Sequence, residues 1–322
     1  MAQTVSVRQC TPDEAAEYFY QWPVQEQWNP GTHGYDLRHV FYKSDAEGFF
    51  VGTIADSESP SKEKVVAIVS AVRYGEDSGW VGFYIVAPEH RGRGYGQTIF
   101  RHALAHMENR PCIGLDAVLQ QVENYKASGF TIVSWENQRR SGNLYHIIEK
   151  LSSYETLENA TIDDASKVPL DQLNAFELRY NGWERASFVE NWINFHSNNA
   201  DHGRFCVAVM DNERVLGYGC VRPAITSFRV GPLFAESNEV AKTILYNLAK
   251  SVSQVISQPD NHIAPSVMDI FDVDVCIANA QAVAMFDDLD MANTFSTLRM
   301  WKGKQPKVDV DGIYGVTTLE VG

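Results

Sequence analysis

The sequence predicts an α/β (α+β) chain of two tandem units of one kind, each a mixed, mostly antiparallel sheet flanked by helices. Three observations predict it. Short runs rich in β-branched and aromatic residues are interspersed with helical patterns in both halves. The order of elements in the first half recurs in the second. A gapless alignment also sets Phe83-Tyr84-Ile85-Val86 against Phe228-Arg229-Val230-Gly231, and Thr98-Ile99-Phe100 against Thr243-Ile244-Leu245. Order matches better than identity, which reads as a duplicated fold. The expected units are residues 1–152 and 153–322, meeting in a polar connection near Leu151–Tyr154.

Val5–Cys10 reads as a strand. Thr11-Pro12-Asp13-Glu14 then opens a helix, with Thr11 as N-cap, Pro12 at the first position and Glu14 closing a capping box. That helix is expected to stop at Pro23, before the turn cluster Trp28-Asn29-Pro30-Gly31. Strands follow at Gly48–Ala55, Lys64–Arg73 and Gly79–Val86, the last almost continuously apolar as a central strand requires. Then come a helix at Gln97–Met107, a strand at Cys112–Val118, a helix at Gln120–Ala127, and strands at Thr131–Trp135 and Asn143–Glu149. In the second half, helices are expected at Leu170–Tyr180, Ala186–Phe195, Glu239–Val255 and Ala280–Leu289. Strands are expected at Arg204–Met210, Val215–Arg222, Ser227–Val230, Val267–Cys276, Thr294–Trp301 and Tyr314–Glu320.

Composition narrows the function. With 44% hydrophobic and 21% charged residues, the chain can bury a core and is not a disordered one. A net charge of −14 argues against a nucleic-acid partner and suits a cationic substrate. No apolar run approaches the ~18 residues that span a bilayer, and Met1–Cys10 lacks a secretory pattern, so a cytoplasmic protein without a membrane partner is expected. Cys10, Cys112, Cys206, Cys220 and Cys276 have no metal or redox spacing. They read as small buried hydrophobes in a reducing compartment, and no metal is expected. The acidic stretch Asp269, Asp272, Asp274, Asp287, Asp288 and Asp290 reads as a solvated face.

The chemistry concentrates in Val86-Ala87-Pro88-Glu89-His90-Arg91-Gly92-Arg93-Gly94-Tyr95-Gly96, between a buried strand and a helix start. Amides at a helix N-terminus lack intrahelical partners, and the helix dipole favours negative charge there. The glycines let the backbone approach phosphate oxygens, and Arg91 and Arg93 add positive charge. Such a loop suits a pyrophosphate.

The spacing Arg91-x-x-Gly94-x-Gly96 after Val86 resembles the acetyl-CoA loop of the Gcn5-related N-acetyltransferases. Downstream, Asn124-Tyr125-Lys126-Ala127-Ser128-Gly129-Phe130 is similar to that family's Tyr-x-x-x-Gly-Phe helix end. The resemblance covers the first half. It implies that pantetheine pairs with the backbone of Ile85 and Val86. The pyrophosphate would meet the amides of Arg91, Gly92, Arg93, Gly94, Tyr95 and Gly96, with Asn124 nearby. It also implies that Tyr125 protonates the departing thiolate. The strand Trp80–Val86 lacks the glutamate that some members carry, so Asp116 on the next strand is the first candidate base. The acceptor site is expected around Trp28, Asn29, His33 and Asp36, with Glu26 close by.

In the second half Glu236, Glu239 and Ala241 fall where Arg91, Gly94 and Gly96 stand, and Phe286 corresponds to Tyr125. Acids opposite a pyrophosphate repel it, so this half is expected to keep the fold, lose the donor site, and wall the acceptor cleft or support its neighbour. The resulting expectation is an acetyl-CoA-dependent N-acetyltransferase acting on a primary amine of a small molecule or amino acid. Two alternatives stay open. One is a non-catalytic acyl-CoA sensor. The other is an NAD(P)-dependent oxidoreductase, although its third glycine comes one residue early and Ala87–Arg91 separates strand from first glycine.

Overall fold

The computed structural model describes residues 4–56, 62–258, 263 and 269–322. The first half runs β1 (Ser6–Gln9), α1 (Pro12–Gln25), α2 (Tyr42–Ser44), β2 (Phe49–Ala55), β3 (Glu63–Tyr74), β4 (Ser78–Val86), α3 (Tyr95–His106), β5 (Cys112–Val118), α4 (Val122–Ala127), β6 (Ile132–Asn143) and α5 (Leu144–Lys150). The second runs β7 (Thr161–Asp164), α6 (Leu170–Asn181), α7 (Ala186–Ser197), β8 (Phe205–Asp211), β9 (Arg214–Pro223), β10 (Phe228–Ala235), α8 (Asn238–Ile256), β11 (Ile270–Cys276), α9 (Ala280–Asp288), β12 (Ala292–Gly303) and β13 (Ile313–Gly315). The expected capping box forms: the Thr11 hydroxyl accepts from the Glu14 amide, and the Glu14 carboxylate accepts from the Thr11 amide.

All strands join one sheet in the order β1-β2-β3-β4-β5-β12-β6-β11-β10-β9-β8-β7, with β13 added beside β10. The two halves exchange their last long strands. β12 pairs with β5 over Cys112–Val118, and β6 pairs with β11 over Asn137–Asn143. Among the described residues only β4–β5 and β10–β11 pair in parallel. A dinucleotide fold needs a mostly parallel sheet, so the oxidoreductase alternative falls.

Helices cover both faces of the sheet. On β3 the side chains alternate: Ile68 and Val72 enter the core shared by the two halves, while Ala67, Val69 and Ala71 enter a second core beneath α3. Period-two alternation between two apolar faces is what an entirely buried strand requires. The shared core contains Phe19, Phe41 and Phe49 from the first half and Phe188, Trp192 and Tyr218 from the second. Among the described residues, no helix is long and apolar enough to cross a membrane.

Several expectations change. Thr131–Trp135 and Asn143–Glu149 are not two strands. Residues 132–143 form the single strand β6, and Asn143 then caps α5 by accepting from the amides of Tyr145 and His146. Glu136-Asn137-Gln138-Arg139-Arg140 looks like a polar loop in sequence but is a central strand, because neighbouring strands supply its partners. The acidic stretch is not uniformly solvated: Asp272 and Asp274 are buried, and Asp274 is ion-paired with Arg139 and Arg229. The strand expected at 267–276 begins outside the described residues, and its described part is β11. The strand expected at Tyr314–Glu320 shortens to β13 followed by an irregular segment. Cys206 and Cys220 lie directly opposite on β8 and β9 and form a disulfide, so they are not separate buried thiols. Cys10, Cys112 and Cys276 are free and buried.

The halves are clamped by buried charge. Asp36, only 3% exposed, pairs with Arg204 at the start of β8 and with Arg222 on β9, the latter at 2.9 Å. Burial pushes the Asp36 carboxyl up, but the two arginines outweigh it and hold the group at about 2, against an ordinary 3.8. Asp36→Asn should therefore destabilise the protein by ~3–5 kcal/mol, because it strands two buried guanidinium groups. The group's folded value is depressed, so its contribution is fully present above pH ~4 and is lost as pH falls through about 2. Denaturant titrations of both proteins across that range check this; a variant as stable as wild type at neutral pH overturns the clamp.

Candidate functional site

β4 and β5 pair only over Ser78–Trp80 with Cys112–Gly114, and then part. A bulge helps to turn β4 away. Its register with β3 slips between Ile68 and Ser70, and Phe83 takes the left-handed φ of +48°. An extra residue of this kind bends its strand and is costly for a bulky side chain, so it persists only where packing enforces it. Phe83 is buried against Phe19 and Phe41. Beyond the parting lies a cleft of about 730 Å³.

The structure brings most of the expected donor residues to this cleft. Ile85, Val86, Arg91, Gly92, Gly94, Tyr95 and Gly96 line it. Past Trp80, β4 pairs with β3 on one side only, which leaves β5-facing backbone, apart from the Val86 carbonyl taken by Arg91, to an extended ligand. Gly92 and Gly94 have φ of +77° and +83°, and a Cβ on either would meet nothing within 4 Å. Their backbone conformation favours glycine, and open space lies beside them, as a phosphate cradle requires. Gly94 is the N-cap of the twelve-residue helix α3, whose unpaired first-turn amides face the same place. Gly96 serves packing instead: a Cβ there would lie 2.4 Å from the Tyr84 hydroxyl. Arg91 is held at the cleft by the Val86 carbonyl at 2.9 Å and by Glu26. These features fit an acyl-CoA.

Tyr125 also lines the cleft, its ring packed among Tyr84, Phe100 and Phe130. Among the described residues its hydroxyl makes no protein hydrogen bond, and burial pushes its pKa well above the usual tyrosine value. The group is therefore protonated at neutral pH and available to donate. Arg93 and Asn124 are exposed and do not line the cleft; Arg93 bonds the Glu89 carbonyl and Asn124 bonds Gln121.

The acceptor side needs correction. Trp28 lines the cleft, and its carbonyl accepts from Arg139 at 2.9 Å. Asn29 does not; it bridges the halves through Ser227, Asp272 and the Thr226 amide. Asp36 is consumed by the clamp. His33 is exposed at φ +58°, beside Tyr35, away from the cleft. Asp116 faces the cleft, but its oxygens accept from Arg299 at 2.7 and 3.1 Å and from Asn137 at 2.9 Å. Burial pushes its pKa up while Arg299 opposes. To take a proton it would first have to part from Arg299.

Sequence reasoning missed the far wall. Phe295, Thr297, Leu319 and Glu320, all from the second half, line the cleft beside Arg139. β12 brings the first two. The segment after β13 brings the others, anchored where the Trp80 indole donates to the Leu319 carbonyl at 3.3 Å and the Tyr74 hydroxyl to the Val321 carbonyl at 2.8 Å. Gly82 admits this segment, since a Cβ there would overlap the Glu320 carbonyl. No local signal marks these residues, because only the strand exchange carries them across.

The second half repeats the parting and fills it. β10 pairs with β11 over Phe228–Val230, after which β13 pairs with β10 at Leu233 and Phe234. The Val316 amide then donates to the Asp274 carbonyl of β11. Its own chain thus occupies the place where the first half keeps a cleft. Glu236, aligned with Arg91, is ion-paired with Arg179 and Arg214.

Comparison with known proteins agrees with this geometry. Residues 8–130 match the family described as "Acetyltransferase (GNAT) family", and residues 174–315 match "Acetyltransferase (GNAT) domain". The chain is 28% identical over 302 residues to a holothin acyltransferase of a Pseudoalteromonas species, covering 94% of this chain and 90% of that one. A putative acetyltransferase from Pyrococcus horikoshii superimposes with a TM-score of 0.71 at 18% identity, covering 99% and 96% of the two chains. A tandem GNAT protein from the clavulanic acid biosynthesis pathway superimposes at 0.61 and 15% identity, covering 94% and 99%. The chain therefore belongs to the Gcn5-related N-acetyltransferase superfamily, as a tandem pair of acetyltransferase domains, and is an N-acyltransferase that uses acyl-CoA donors.

Proposed function

We propose that the first half moves the acetyl group of acetyl-CoA to a primary amine of a small molecule, by direct attack on the thioester. The observation that carries this reading is the meeting of a glycine-lined anion cradle and the free Tyr125 hydroxyl in one cleft, where β4 and β5 part. The 28%-identical relative, spanning nearly the whole chain, is a holothin acyltransferase, which supports a small-molecule acceptor.

The donor's thioester supplies the electrophilic carbonyl carbon. The β5-facing backbone of Ile85 and Val86 pairs with the extended pantetheine amides and fixes their depth. The amides from Arg91 to Gly96, backed by the α3 dipole, hold the pyrophosphate. Tyr125 gives its proton to the sulfur as the C–S bond breaks, the attacking nitrogen sheds its proton to solvent in the cleft, and solvent returns a proton to Tyr125; a free thiol has a pKa near ~8.5, so a positioned acid eases its departure. Asp116 fixes Arg299, and through it β12 and the acceptor wall. The second half takes no donor of its own and shapes the far side of the cleft.

Tyr125→Phe should lower kcat by about 100-fold or more, within the usual range for a lost general acid, and leave the Kd for acetyl-CoA unchanged. Unchanged turnover overturns the acid role. Arg91→Glu should raise the Kd for acetyl-CoA by about tenfold or more, because it removes a charge-assisted contact and adds repulsion. Calorimetry checks this. The wild type should take up a single acetyl-CoA per chain and ignore NADH, and the absence of acetyl-CoA binding would sink the reading.

A further inference from the structure

Two oxygens in the cleft wall are buried and bonded to nothing among the described residues: the second carboxylate oxygen of Glu320, Oε2, and the hydroxyl Oγ1 of Thr297. Glu320 is 8% exposed and Thr297 is 2% exposed. An unpaired buried carboxylate oxygen is costly, and native structures keep one where something else satisfies it. Thr297 stands on β12 opposite Val118 of β5, at the edge of the parting.

The setting of Glu320 is built, not incidental. Its other oxygen accepts from Arg229 at 2.6 Å, and Arg229 reaches on to Asp274 at 2.7 Å, which Arg139 holds from the far side at 2.8 Å. Burial pushes the Glu320 carboxyl up, yet Arg229 and Arg222 outweigh it, so the group is an anion at neutral pH. Arg229 thus fixes one oxygen and leaves the other as an acceptor of N–H. Around it the cleft is walled by Trp28, Phe83, Phe295 and Leu319.

We propose that Glu320 and Thr297 form the anchor for the acceptor amine: Oε2 accepts an N–H of a primary amine, the Thr297 hydroxyl meets a second polar group beside it, and the aromatic wall receives a compact, mainly apolar body. This rests on the transferase reading given above and adds to it the acceptor's chemistry and the residues that select it. Neither residue lies in the half that carries the donor loop. A compact apolar amine fits the wall, and a carboxylate-bearing acceptor with its acid beside Glu320 does not, because two anions would share one dry site.

The test uses the full-length protein saturated with coenzyme A and titrated calorimetrically with benzylamine and with benzyl methyl ether, which has the same body and no donor. The wild type should prefer benzylamine. Glu320→Gln should weaken benzylamine binding by about tenfold and leave the ether unchanged, the loss expected for a charge-assisted hydrogen bond. Thr297→Val should leave benzylamine affinity unchanged, because this probe carries no second polar group for that hydroxyl to meet. Acetyl-CoA affinity should be the same in all three proteins. A purely structural Glu320 would weaken both probes together. Equal benzylamine affinity in wild type and Glu320→Gln, or no wild-type preference for benzylamine over the ether, overturns the anchor even where acetyl-CoA binds normally. Failure of the wild type to bind acetyl-CoA overturns the transferase reading itself.

Discussion

β12 comes from the second half of the sequence and completes the first half of the sheet. Without it, β5 would present an unpaired edge just where the cleft opens. Its register is pinned by one ion pair, because Arg299 faces Asp116 directly across the ladder. A slip by one residue would turn every β12 side chain to the opposite face and leave both charges buried and alone. Arg299 also lies over the Trp80 ring at 4.6 Å, and Trp80 packs against Trp183 and Trp301. Buried charge pairs contribute little net stability against an apolar replacement. Their value here is specificity, since they admit a single alignment of a polar central strand.

The cleft depends on that alignment from one side and on the β4 bulge from the other. β4 bends away at Phe83 while β12 holds β5 in place, so the two parallel strands diverge after three paired residues. The donor surface is then mainly backbone, as phosphate and amide recognition demands. The acceptor surface is side chain, and its polar members arrive from distant sequence. The same parting in the second half is closed by β13, and the residues following β13 go on to supply Leu319 and Glu320 to the first cleft. One stretch of chain thus seals one site and furnishes the other.

The residues that form the glycine-lined part of the cleft could be grouped from sequence because they are local. Arg91 to Gly96 run from one loop into the first turn of α3, and Tyr125 sits in the short helix α4 soon after, so spacing alone assembles them. The acceptor side was not legible, because its geometry comes from pairing between segments more than a hundred residues apart. Asp36 and Asn29 were natural candidates as polar residues in a turn-rich segment, yet both are spent on arginines and hydroxyls of the other half. β6 was misread for the same reason. Its polar run resembles a loop until Asp274 and Asp116, on two other strands, neutralise Arg139 and accept from Asn137. The duplication could be read from element order, but order does not reveal that the copies trade strands.

The strand exchange also sets a schedule for biosynthesis. Every residue proposed to hold the donor is encoded by residue 130, yet the edge of β5 that faces away from β4 has no partner until residues 292–303 have been made. During translation the first half must wait with an open sheet edge while the whole second half is produced. Non-local pairing of this kind slows folding and lengthens exposure of apolar strands. The cleft wall that Phe295, Thr297, Leu319 and Glu320 supply is missing from any nascent fragment that stops short of them.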